Sequence, residues 1–322
     1  MKTFTFSKNF ASGVDIGWLP QMEAAGFVFK NKNGVAMDLL DILKEYGIDS
    51  IRLRTWVNPS DNPRSGHCSA EETLAMALRA KNKGFRVMLN FHYSDSWADP
   101  GKQVKPAAWE NLNFDELVQT LYDYTYQTVK LLVDNGVTPE WAQIGNETNP
   151  GMLLSDGSTQ NFEQLAMLYS AGHDAVKAVS PEIKTMVHLA EGQKTKFQLD
   201  YFGKLVALNC RFDMIGLSYY PYWIKSHYTE TIGNLKDTFK LLYEQFGKPI
   251  MLVEVGGVDE EEDESLEMLS AVAEAVHDAP SCEGYFYWEP AGAKVFSGYS
   301  LSAWNADGTP TKAMDVYLLF KK

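Results

Sequence analysis

The sequence predicts an eight-stranded (β/α)8 TIM barrel built as a single domain over residues 1–322, and three observations predict it. A short apolar run, a loop and a helical stretch recur in series along the chain. No Pro/Gly/Ser-rich linker or low-complexity tract interrupts the series. The length, 322 residues, is large for an ordinary domain and normal for this barrel. A doubly wound open sheet is the rival architecture, but the glycine fingerprint it needs after its first strand is absent.

The candidate strands are Ala11–Asp15, Ser50–Trp56, Phe85–His92, Trp141–Asn146, Lys184–His188, Met214–Ser218, Pro249–Glu254 and Gly284–Trp288. Each is short and rich in apolar or β-branched residues, as strands covered on both faces should be. The helices between them are amphipathic. Val35–Tyr46 places Leu39, Ile42, Leu43 and Tyr46 on one stripe and stops at Gly47. Ser69 followed by Glu72 forms a capping-box pattern for the next helix, which ends near Gly84. Asp115–Asn135 stops at Gly136, and Phe162–Val179 stops at Pro181. Lys196–Leu208, Ile232–Phe246, Ser265–Ala279 and Ala313–Phe320 complete the alternation.

Composition narrows the ligand. Hydrophobic residues are 45% of the chain and charged ones 22%, a globular composition. The net charge of −13 offers no cationic footprint for phosphates, which excludes nucleic acid as a partner. It also repels an anionic polymer, so a neutral ligand fits better. Aromatic residues are 13%, with eight Trp, enough to fill a core and still pave a groove for the apolar faces of sugar rings. Cys68, Cys210 and Cys282 contain no CxxC pair, so they form neither a disulfide framework nor a zinc site. They read as small buried side chains, with one disulfide left open. No run reaches the length of a membrane span, and Met1 to Phe10 lacks the apolar stretch of a signal peptide. Read literally the chain is intracellular. A mature chain whose export signal has been removed, extracellular, cell-surface or periplasmic, fits equally.

In such a barrel the active site is built at the C-terminal ends of the strands. The strand ends deliver Asp15; Arg52, Arg54 and Trp56; Asn90, His92, Asp95 and Trp97; Asn146 and Glu147; His188 and Glu191; Tyr219, Tyr220 and Trp223; Glu254; and Trp288 with Glu289. A purely structural barrel has no need of so many polar and aromatic groups on one rim. Gln143-Ile144-Gly145-Asn146-Glu147 closes the fourth strand with a carboxyl beside an amide, and Ile250-Met251-Leu252-Val253-Glu254 closes the seventh with a second carboxyl. Strands four and seven face each other across a barrel, so the two carboxyls can approach to the roughly 5 Å of a retaining glycosidase. One then protonates the leaving oxygen while the other attacks the anomeric carbon, and their mutual repulsion separates their pKa values.

At these residues the chain resembles the family 53 glycoside hydrolases, the endo-β-1,4-galactanases. The matching stretches are Gly13-Val14-Asp15, Arg52-Leu53-Arg54-Thr55-Trp56, Phe91-His92-Tyr93-Ser94-Asp95-Ser96-Trp97-Ala98-Asp99-Pro100, Gln143 to Glu147, Gly216 to Trp223, and Tyr287-Trp288-Glu289-Pro290. They run from the first strand to the last. The resemblance implies an acid/base at Glu147 and a nucleophile at Glu254, with Arg52, His92, Asn146, Tyr219 and Trp288 lining the sugar pocket. It also implies β-1,4-galactan and galacto-oligosaccharides as ligands, and no cofactor. In two places the sequence departs from the family. Val255-Gly256-Gly257 is followed by the acidic run Asp259–Glu264, and the loop from Pro290 to Trp304 is short. Some relatives hold calcium in a longer form of that loop, so no metal is expected here. The chain is expected to act as a monomer.

Each residue also has a bland reading. His92 could be a satisfied core histidine, but its place between Asn90 and Asp95 at a strand end favours the site. Asp95 could simply brace its loop. Arg52 and Arg54 share a strand face, and one of them could pair with a structural carboxylate. Trp288 is read as a stacking platform; Trp56, Trp97 and Trp223 divide between core and groove. The acidic run is read as a solvated loop entering a helix. The rival functions are a retaining mannanase or glucanase of the same clan and a non-catalytic carbohydrate-binding barrel. An aldolase-type barrel lacks its Schiff-base Lys and its metal-ligand cluster.

Overall fold

The computed structural model describes residues 2–322. Eight strands, β1 (Ala11–Asp15), β2 (Ser50–Thr55), β3 (Arg86–Phe91), β4 (Trp141–Ile144), β5 (Lys184–Leu189), β6 (Met214–Tyr219), β7 (Ile250–Val255) and β8 (Cys282–Tyr287), pair in parallel in chain order. β8 pairs with both β7 and β1, which closes the barrel. The helices outside are α1 (Leu39–Glu45), α2 (Ala70–Asn82), α3 (Phe114–Asp134), α4 (Phe162–Val179), α5 (Thr195–Ala207), α6 (Tyr228–Phe246) and α7 (Glu262–His277).

Local chemistry explains where these helices begin. Ser69 accepts from the Glu72 N–H while Glu72 accepts from the Ser69 N–H, the expected capping box. Asn113 and Glu116 do the same for α3. The helix α1 starts at Leu39 rather than Val35, because the Asp38 carboxylate caps the Leu40 N–H at 2.8 Å. The sixth starts four residues earlier than the apolar stripe suggests, with the His227 side chain capping it. The last segment, Lys312–Leu319, is a 3-10 helix rather than an α-helix.

Inside the barrel, Ala11, Met88, Trp141, Met186, Met214, Met251, Val253 and Phe286 form an apolar floor of their own. Gly13 makes room for it, since a Cβ there would lie 2.1 Å from the Phe286 ring. Such a filled interior leaves the polar residues only the layer above it. The chain ends meet where Phe4–Thr5 pairs with Phe320–Lys321, packed by Phe6, Phe10 and Phe320. Cys68, Cys210 and Cys282 are all buried and free, so no disulfide joins them. The acidic run leads into α7, with Glu262, Asp263 and Glu264 in its first turn, where the helix dipole favours them.

Candidate active site

The two strand-end glutamates face each other in one cleft of about 490 Å3, lined also by His92, Trp97, Asn146, Tyr220, Trp223 and Trp288. A carboxylate oxygen of Glu147 lies within 4.8 Å of one on Glu254. Both residues are buried. β4 ends at Ile144 because Gly145 turns with φ +85°, and Glu147 itself sits at φ +47°. A glutamate held in the left-handed region stores strain, roughly 1–3 kcal/mol, which is characteristic of functional sites. Behind it, Thr148 is fixed by Tyr169 and by the His188 carbonyl, which holds the turn in place.

Arg52 is the hub beneath the carboxylates. Its Nη1 donates to Asp15 Oδ2 at 3.0 Å and to Glu254 Oε1 at 2.9 Å. Its Nη2 donates to Asn146 Oδ1 at 2.8 Å, and its Nε to Gln143 Oε1 at 3.2 Å. One guanidinium therefore ties β1, β4 and β7 together. Arg52 is wholly buried and supports the cleft from below rather than lining it, which corrects the expectation that it meets the sugar. The other oxygen of Glu254 accepts from the Tyr220 hydroxyl at 3.1 Å.

These surroundings separate the two acids. Burial raises Glu147 well above the usual carboxylate range, and the nearby Glu254 charge raises it further. Burial also raises Glu254, but Arg52 and the Tyr220 hydroxyl oppose that shift. The pair is thus arranged to carry one proton, on Glu147. Burial raises Asp15 well above its usual value too, against the pull of Arg52.

His188 completes the support. Its Nδ1 accepts from Gln143 Nε2 at 2.8 Å and from the Glu147 N–H at 3.3 Å, so Nε2 carries the proton and donates to Ser218 Oγ at 2.6 Å. The Ser218 hydroxyl in turn favours the charged form of Glu147. Glu147, His188 and Glu254 are close enough to surround a metal ion. The chemistry of this set does not fit one, because Nδ1 is occupied by donors and Nε2 is protonated. The loop from Pro290 to Trp304 contains no Asp or Glu, so it supplies no carboxylate for calcium.

His92 holds the opposite wall. Its Nδ1 accepts from the Ala98 N–H at 3.0 Å, and its Nε2 lies 3.3 Å from Asn90 Nδ2. Burial, with Arg54 and Arg52 nearby, keeps the ring neutral by holding it well below 6.5. Asn146 Nδ2 donates to the Ala98 carbonyl at 2.8 Å, fixing its amide beside Glu147. Trp97 and Trp288 pack edge-on at 5.8 Å, each also against Trp18, and both line the cleft. Arg54 lies 4.5 Å from the Trp97 ring centroid and pairs with the buried Glu289, the structural pairing anticipated for one of the two arginines. Trp223 stands at the rim, 59% exposed.

Two further expectations fail. Tyr219 does not face the cleft: it points outward and bonds to Thr231 Oγ1 at 2.8 Å, and its neighbour Tyr220 takes the place beside Glu254. Asp95 braces its loop, accepting from the Asn58 and Ala107 N–H groups at 3.0 and 2.9 Å. Trp56, read as either core or groove, belongs to the core, being fully buried. Ser218 points inward to His188, so strand alternation sends residue 219 outward and 220 inward. Gln143, which donates to His188, and Tyr299, which lines the cleft against Trp288, give little signal in the sequence, since both depend on contacts between distant strands and loops.

A family model described as glycosyl hydrolase family 53 matches residues 11–317. The chain belongs to that family. It is 34% identical over 308 residues to the arabinogalactan endo-beta-1,4-galactanase A of Aspergillus niger, covering 87% of this chain and 84% of the relative. The GH53 catalytic domain of Ignisphaera aggregans superposes with a TM-score of 0.89 at 31% identity, over 98% of both chains. A fungal β-1,4-galactanase structure gives 0.86 at 29%, over 96% of this chain and 98% of the other. This family member is therefore a glycoside hydrolase on a (β/α)8 barrel. No helix of the described residues is long and apolar enough to cross a membrane.

Proposed function

We propose that this family 53 hydrolase cleaves internal β-1,4-galactosidic bonds of galactan and type I arabinogalactan by double displacement, releasing galacto-oligosaccharides. The observation that carries the chemistry is the carboxyl pair, with oxygens within 4.8 Å and opposite support. Glu254, kept ionised by Arg52 and Tyr220, attacks the anomeric carbon. Glu147, kept protonated by burial and by the neighbouring charge, delivers its proton to the departing oxygen. The bond to the leaving sugar breaks as the ester to Glu254 forms. That ester carries no charge, so Glu147 loses the repulsion that held its proton and becomes the base for the incoming water. Two inversions restore the β configuration.

Asn146, His92 and Trp288 are the groups placed to hold the reacting sugar, with Trp97 and Trp223 along the cleft. Galactan is favoured over other polymers by the named activity of the relatives and by the shape of the ring set. Trp97, Tyr220, Trp223 and Trp288 are spread around the mouth rather than in one flat row, which suits a chain that curls at each axial 4-linkage. The test is digestion of linear β-1,4-galactan beside mannan and cellulose, with products followed over time. A ladder of short galacto-oligosaccharides with little release from the other two is expected, because a site bonded to an axial hydroxyl rejects the epimer by orders of magnitude. Comparable turnover of glucan or mannan would overturn the substrate assignment.

A further inference from the structure

Most polar groups around the carboxyl pair are already engaged from below, and Gln193 is an exception. It lies on the loop joining β5 to α5, is 6% exposed, and lines the cleft with Glu147, Glu191 and Trp223. Its Oε1 is buried and has no hydrogen-bond partner among the described residues. An acceptor left unmade in the interior is costly, and a native fold keeps few of them.

The loop around it is fixed. The Gly192 N–H donates to the Ser218 carbonyl at 2.8 Å, and Lys194 N–H to the Glu191 carbonyl at 2.9 Å. Gln198 Nε2 donates to the carbonyls of Ala190 and Glu191 at 2.8 and 3.1 Å. Gly192 is packed so closely that a Cβ there would lie 3.0 Å from Leu235. The Glu191 charge is taken up by Lys194 at 2.7 Å. Backbone and charge are thus satisfied while the Gln193 amide, at the cleft wall on a fixed loop, keeps an oxygen without a partner.

Its place in the barrel says what it meets. The reacting sugar must lie between Glu254 and Glu147, against Asn146, His92 and Trp288, which come from the ends of β4, β3 and β8. Gln193 follows β5, on the other side of Glu147, along the arc it shares with Trp223. A chain departing from the oxygen that Glu147 protonates passes over this arc. We infer that Gln193 is a specificity-determining residue whose side-chain amide hydrogen-bonds a hydroxyl of the sugar on the leaving-group side. The inference rests on the hydrolytic reading above and adds the recognition of the sugar beyond the scissile bond.

The test compares two leaving groups in the full-length enzyme. Gln193→Leu keeps the bulk and removes the amide; Gln193→Ala removes both. On galactan, kcat/KM should fall about five- to tenfold in both variants, the loss expected for one hydrogen bond. On an aryl β-galactobioside, whose leaving group carries no hydroxyl, the change should stay within about twofold. Unchanged galactan kinetics, or equal losses on both substrates, would overturn the assignment. Should neither variant fold, the wild type supplies the measurement. Its glycosyl-enzyme, formed from the aryl substrate, should transfer to galactose in preference to one of the 2-, 3- and 6-deoxygalactoses, which all keep the attacking 4-hydroxyl, and equal transfer to all three would overturn the inference. A wild type that cleaves the aryl substrate but not galactan would count against the polymer assignment alone, and Gln193 would then be judged on the β-1,4-linked polymer it does cleave.

Discussion

Removing one oxygen atom, in Tyr220→Phe, should slow the enzyme and shift only one limb of its pH profile. The phenol donates to Glu254 Oε2 at 3.1 Å, while Arg52 holds the other oxygen at 2.9 Å. A hydrogen bond to a charged group contributes about 1.5–3 kcal/mol, so kcat/KM should fall roughly 10- to 150-fold. The sign of the pH effect follows from which form the phenol favours. It stabilises ionised Glu254, so its loss raises the Glu254 pKa and moves the acidic limb to higher pH. Burial raises the Tyr220 hydroxyl well above its ordinary value, so it remains a donor across the working range. Tyr219→Phe is the control. That hydroxyl bonds only on the outer side of the strand, to Thr231 and the Tyr228 carbonyl. Its loss should cost about 1 kcal/mol of stability and leave the pH profile alone. Steady-state rates on galactan across the pH range, with melting curves of both variants, make the comparison. An acidic limb unmoved in Tyr220→Phe, or moved equally in Tyr219→Phe, would refute this account of how Glu254 is kept ionised.

Other consequences follow from the same geometry. Glu147→Ala should lose several orders of magnitude on galactan but far less on a substrate with a good leaving group, where azide should restore turnover as a β-galactosyl azide; no rescue would remove the acid/base role. The alkaline limb of the wild-type profile should report Glu147 and should be absent from Glu147→Gln on an activated substrate, since that carboxyl is the one raised well above its usual range. A limb that persists would assign it to another group. His188, held neutral by burial and by the charge of Arg52, binds fewer protons folded than unfolded. Its contribution to stability is complete above about pH 6.5 and is lost as pH falls below that, at up to about 1.4 kcal/mol per pH unit. In His188→Gln the unfolding free energy should therefore fall less steeply between about pH 6 and 5, and an unchanged slope in chemical denaturation would contradict the buried neutral ring.

The fold was legible because a barrel of this kind repeats one local rule. Each strand is an apolar run closed by a polar residue, and each helix carries its own stop, as Gly47, Gly84, Gly136 and Pro181 do. The glutamates were legible because both stand at the ends of such runs. What escaped was anything decided by side-chain direction or by contacts between remote strands. Arg52 sits at the right strand end, yet only the closed barrel shows that its donors are taken by Asp15, Gln143, Asn146 and Glu254. Asp95 stands in the motif most like the family, but its carboxylate is spent on two backbone N–H groups. Gln193 gives no signal at all in sequence, because what distinguishes it is a partner it lacks.

The measurement that bears most directly on the central claim is the capture of the covalent intermediate. A 2-deoxy-2-fluoro-β-galactobioside with an activated leaving group should form the ester and hydrolyse it slowly, so that peptide mass spectrometry finds the sugar. The account predicts one label per chain on the peptide that contains Glu254, and none in Glu254→Gln. A label on Glu147, or full inactivation without any covalent sugar, would contradict the double displacement assigned to this pair.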